Sequence, residues 1–72
     1  MTPDLLRDVG EALYGPFWQS EMARELEVAV RTIQRWLAGD SPIPSSIGAE
    51  LRIFMALRKY TLDDLINKTL SC

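Results

Sequence analysis

Arg31, Gln34 and Arg35 lie within five residues of one another, and between Val28 and Gly39 the two arginines are the only charges. On a helix, at about 100° per residue, Arg31 and Arg35 share one side with Ala38, and Gln34 lies on its flank. Ile33, Trp36 and Leu37 fall on the other side. An arginine fork can bridge the edge of guanine with two hydrogen bonds. A glutamine amide can do the same for adenine, and each such pairing is worth roughly 1–3 kcal/mol of discrimination. That chemistry is base readout in a major groove, with Val30 able to meet a thymine methyl. Two arginines four apart are also ordinary on any solvated helix face, and Glu27 is spaced to pair with Arg31.

Few other residues offer chemistry. Histidine is absent, which excludes Ser-His-Asp and Cys-His arrangements. Asp63 and Asp64 are adjacent, so a helix points them about 100° apart rather than across a shared substrate. No glycine-rich loop is present to cradle a phosphate. The one cysteine is Cys72, which leaves no intramolecular disulfide and no common zinc-ligand set. The expectation is a protein that is not an enzyme, with no cofactor, no metal and no small-molecule ligand. Asn67-Lys68-Thr69 matches a glycosylation sequon, but Met1-Thr2-Pro3-Asp4 opens no signal peptide, so the match reads as chance. The longest apolar run, Ile53 to Leu57, is far short of the ~20 residues that cross a bilayer. A cytoplasmic protein with no membrane association is expected, with Cys72 a reduced tail thiol.

Positioning these side chains falls to a chain of 72 residues, 47% apolar and 25% charged. A single domain of this size buries only about 60% of its unfolded surface, so tight helix packing or oligomerisation has to stabilise it. Punctuation predicts five short helices. Thr2 caps the first, Pro3 opens it, and Asp4 favours its positive end. Leu5, Leu6, Val9 and Leu13 form its apolar stripe, and Gly15-Pro16 stops it. The second runs from Trp18 to Leu26 with Met22, Ala23 and Leu26 inward, and Phe17 and Trp18 pack where it begins. After a turn at Glu27 to Ala29, the third spans Val30 to Ala38 and ends at Gly39. Pro42 and Pro44 hold the next segment out of helix. Ser45 or Ser46 caps a fourth helix carrying Ile47, Leu51, Phe54 and either Leu57 or Met55 inward. Thr61 with Asp64 resembles a capping box that opens a fifth, lined by Leu62, Leu65, Ile66 and Leu70. No stretch alternates as a strand, and the fold class expected is all-α.

The run Gln19-Ser20-Glu21-Met22-Ala23-Arg24-Glu25-Leu26-Glu27-Val28-Ala29-Val30-Arg31-Thr32-Ile33-Gln34-Arg35-Trp36-Leu37 resembles the helix-turn-helix of the Cro and lambda-repressor-like (XRE-class) family. Ala23 is small where two helices would cross. Met22, Leu26, Val28, Ile33 and Trp36 occupy the apolar positions that lock the motif, and Gln19 matches the glutamine that opens its first helix. The turn usually holds glycine where this chain has Glu27, and a non-glycine residue in the left-handed region costs roughly 1–2 kcal/mol. The resemblance implies a compact five-helix DNA-binding domain over residues 1–72, with its motif at about 19–38. It also implies that Val30, Arg31, Gln34 and Arg35 reach base edges.

Net charge is −2 and the pI about 4.9, whereas DNA binders often carry a basic footprint. The acid is concentrated elsewhere: Glu21, Glu25 and Glu27 face a single Arg24 in the second helix and its turn. With so few lysines and arginines, non-specific affinity is expected to be weak and the salt slope shallow. Phosphate contacts would lean on helix N-termini and on Gln19, Ser20, Thr32, Ser45 and Ser46. A homodimer on a pseudo-palindromic double-stranded site is expected, with half-site centres about 34–36 Å apart or a multiple. Its interface would use Tyr60, Leu62, Leu65, Ile66 and Leu70, residues that would serve equally well to complete a monomer core. A small repressor is the leading reading, since 72 residues leave nothing for an activation domain. A helix-turn-helix scaffold that binds protein, as an antiactivator or antirepressor, is the alternative. An accessory subunit binding nucleic acid only beside a larger partner is a third.

Overall fold

The structure, a computed structural model, describes residues 1–71. Cys72, with its expected thiol, lies outside the described residues. Four helices follow one another: α1 (Pro3–Tyr14), α2 (Trp18–Leu26), α3 (Val30–Ala38) and α4 (Ser45–Leu70). The molecule is all-α, and the expected fourth and fifth helices are one.

The start of α1 follows its sequence signals. Thr2 is extended, and its Oγ1 accepts from the Leu5 N–H at 3.1 Å, which satisfies one of the orphan donors of the first turn. Gly15 ends the helix at a φ of 82°. The buried side is Leu6, Val9 and Leu13 together with Gly10, while Leu5, expected inward, is about half exposed. Gly10 is buried because the Trp18 ring lies directly against its Cα. A side chain there would occupy the indole.

Leu6, Met22, Ile33 and Leu51 are the most deeply buried large side chains, one from each helix. Val9, Leu13, Trp18, Leu26, Trp36 and Ile47 surround them. No charged or polar side chain among the described residues is buried. Two polar ties hold α1 from outside the core. The Tyr14 hydroxyl donates to the Glu25 carboxylate of α2 at 2.8 Å, and the Arg58 Nη1 donates to the Leu13 carbonyl at 3.0 Å. Burial, and then the Glu25 carboxylate, push the Tyr14 phenol well above its ordinary value.

The fourth helix departs most from expectation. Pro44 is its N-cap, and Ser45 and Ser46 are already inside the first turn with no capping hydrogen bond. Thr61 does not open a new helix. Its Oγ1 donates to the Leu57 carbonyl at 3.1 Å, one turn back, a bond available only to a threonine within a continuing helix. A capping residue does not interrupt a helix without a glycine or proline to turn the chain, and none occurs after Gly48. Ile47 and Leu51 are buried and Phe54 and Met55 half-buried, whereas Leu57 faces solvent. Beyond Met55 every described residue is exposed. At 1.5 Å per residue the 26 residues run about 39 Å. The molecule is therefore 49 × 22 × 21 Å with a radius of gyration of 14.1 Å, against about 11 Å for a compact chain of this length. No helix among the described residues is long and apolar enough to cross a membrane.

Candidate functional site

The outward face of α3 is set by what its other face buries. Ile33 is fully enclosed, Trp36 nearly so, and Val30 and Leu37 are half-buried beside them. With those positions committed to the core, helical geometry leaves Arg31, Gln34, Arg35 and Ala38 outside, and all four are exposed. The connection from α2 is equally determined. Glu27 adopts the left-handed conformation at φ 58° and ψ 41°, the only positive φ among the described non-glycine residues. Its N–H reaches the Arg24 carbonyl at 3.3 Å, and the Val28 N–H reaches the Ala23 carbonyl at 3.0 Å. That double closure is a Schellman ending, and it turns the chain within three residues. The same closure recurs after α3, where Gly39 and Asp40 donate to the Trp36 and Arg35 carbonyls at 3.2 and 3.0 Å. Ala23, buried and small, lets α2 and α3 approach.

Neither arginine of this face is held by another described residue. Among the described residues the ion pairs are Arg7–Asp4, Arg24–Glu21 and Lys68–Asp64. Arg31 does not pair with Glu27, although the spacing allowed it. Each guanidinium thus keeps its five donors directed at solvent. Ala29, at the N-cap of α3, and Phe17, at that of α2, provide no side-chain cap, so both helix starts keep unsatisfied N–H groups.

The expected residues divide into three sets. Gln19, Ser20, Val30 and Gln34 line one open cleft of about 330 Å³ between the starts of α2 and α3, with Pro16 and Phe17. Arg31 and Arg35 stand outside that cleft on the exposed face, and Thr32 is half-buried. Ser45 lines a different depression, with Met1, Leu5, Pro44, Gly48 and Arg52. Ser46 is exposed and lines neither. Tyr60, Leu62, Leu65, Ile66 and Leu70 are all about half exposed or more, so none of them completes the core.

Phe17 departs from its expected place in the packing. Both Phe17 and Trp18 are expected to pack where α2 begins, but only Trp18 is buried, and Phe17 is 84% exposed at the lip of the cleft. Of two adjacent aromatics a helix can bury only one on a given face, and the contact with Gly10 selects Trp18. No family model, no curated protein and no solved structure matches the chain.

Proposed function

We propose that this chain is a sequence-specific double-stranded DNA-binding regulator, with α2, the Glu27 turn and α3 forming a Cro-like helix-turn-helix. The observation that carries this reading is the α3 face: Arg31, Gln34 and Arg35 project from a helix anchored by Ile33 and Trp36, with no ion-pair partner among the described residues. A major groove about 12 Å wide admits one such helix. Arg31, Gln34 and Arg35 then meet base edges and Val30 a thymine methyl. Gln19 and Ser20, at the uncapped start of α2, lie beside a phosphate, where free N–H groups and the helix dipole favour an anion. Thr32, Ser45 and Ser46 are weaker phosphate candidates, since the serines lie away from the α2–α3 cleft. Phe17 adds an apolar edge against the sugar backbone. Within this reading the protein is a cytoplasmic repressor acting as a homodimer, without catalysis, cofactor or metal.

The test is selection from a randomised duplex pool with wild type and the Arg31→Ala/Arg35→Ala variant in parallel. Both positions are exposed, so the variant should melt with wild type. A two-fold-symmetric site enriched by wild type alone is expected. On that site the variant should lose at least about tenfold in affinity, since each bidentate contact is worth roughly 1–3 kcal/mol. If wild type enriches nothing even at low salt, the DNA reading fails. The acidic balance and the exposed Phe17 then favour protein docking on the same scaffold.

A further inference from the structure

We propose that the groove between the end of α1 and the projecting half of α4 binds a single-chain amphiphilic anion, a free fatty-acid carboxylate. The site goes beyond the DNA reading and does not depend on it. It departs from the expectation of no small-molecule ligand.

Shape points to a chain-like ligand. The groove holds about 360 Å³, within the roughly 300–1,000 Å³ usual for small-molecule sites. Met55, Leu62 and Ile66 of α4 form its floor, and Ala12 and Leu13 at the end of α1 form its wall. From Met55 to Ile66 the floor runs about 16 Å at 1.5 Å per residue, a long and narrow strip. Leu62 and Ile66 are 52% and 55% exposed. An alkyl chain laid along them removes from water apolar area that the fold leaves wet. A protein partner buries about 800 Å² of each surface in a standard interface, far more than these five side chains offer.

Charge selects the head group. At about 100° per residue, Arg58 and Lys59 fall on opposite edges of the floor. Both line the groove, and neither has an ion-pair partner among the described residues. The bond from Arg58 Nη1 to the Leu13 carbonyl at 3.0 Å fixes the guanidinium at its edge, where its planar fork suits a carboxylate. A carboxylate between the two edges meets both cations. Asp63 is the one acid of the lining, and it lies about 40° further round the helix than Lys59, off the floor. Leu62 and Ile66 also belong to the expected dimer surface, so a bound chain and the pairing of two copies compete for them.

NMR titration of the full chain with sodium octanoate, below its micelle concentration, tests the site, with octanol as the uncharged probe of equal chain length. Saturable shifts are expected at Leu13, Met55, Lys59, Leu62 and Ile66, with octanoate binding at least about fivefold more tightly than octanol. Lys59→Glu should weaken octanoate at least about fivefold, because attraction becomes repulsion, and leave octanol unchanged. Lys59→Arg should retain octanoate. Leu62→Gln should weaken both probes at least about fivefold through lost apolar contact. Circular dichroism should show that variant still helical, since Leu62 lies outside the core. Absence of saturable binding overturns the proposal. So does octanol binding as tightly as octanoate, octanoate indifferent to Lys59→Glu, or shifts centred on another surface such as Phe17.

Discussion

Single residues in this molecule are constrained by their neighbours more than by their own preferences. Gly10 is the clearest case. A helix interior favours alanine over glycine by about 1 kcal/mol, yet the Trp18 ring occupies the space a Cβ needs. Overpacking costs of about 1–3 kcal/mol should win, so Gly10→Ala is expected to lower the melting temperature by several degrees. Combining it with Trp18→Leu should recover part of that loss, a coupling that thermal melts of the four variants would read. Tyr14 makes a different constraint visible through pH. Its folded phenol holds the proton more tightly than the unfolded one, whose ordinary value is 10.0. The stabilisation is therefore complete below that value and is lost as pH rises above it, where the unfolded chain releases a proton the folded chain retains. Urea midpoints at pH 9 and pH 11 should fall more for wild type than for Tyr14→Phe. Equal falls would show that the bond to Glu25 contributes nothing.

Elements are delimited here by punctuation that works at some ends and fails at others. Thr2, Gly15 and Gly39 mark helix ends by their chemistry, and the structure uses all three. Glu27 ends α2 against its chemistry, in a conformation that costs a non-glycine residue roughly 1–2 kcal/mol. Glycine would relieve that strain while adding about 0.4–1 kcal/mol of unfolded-state entropy. Glu27→Gly is accordingly expected to stabilise the protein by about 0.5–1 kcal/mol, and Glu27→Ala to change little. A lower urea midpoint for the glycine variant would mean that the glutamate side chain itself supports the turn. Thr61 failed as a helix start because a cap satisfies donors that are free, and in a continuing helix they are not.

At the scale of the whole molecule, the chain divides into a packed body and a projecting rod. Composition and periodicity alone were enough to establish an all-α chain, the extents of the first three helices, and the outward position of Arg31, Gln34 and Arg35. Each of those follows from local spacing: an apolar stripe that must be buried leaves the opposite side of a nine-residue helix to solvent. Tertiary structure decided what depends on residues distant in sequence. It placed Trp18 rather than Phe17 against Gly10, turned Leu5 and Leu57 outward, and separated Ser45 and Ser46 from the α2–α3 cleft. It also ran Ser45–Leu70 as one helix, leaving Leu62, Leu65 and Ile66 about half exposed. A stripe announces that a face will be covered, because apolar area is costly in water wherever it sits. What covers it depends on which surfaces the folded body brings within reach, and past Met55 the body brings little beyond Ala12 and Leu13 of α1.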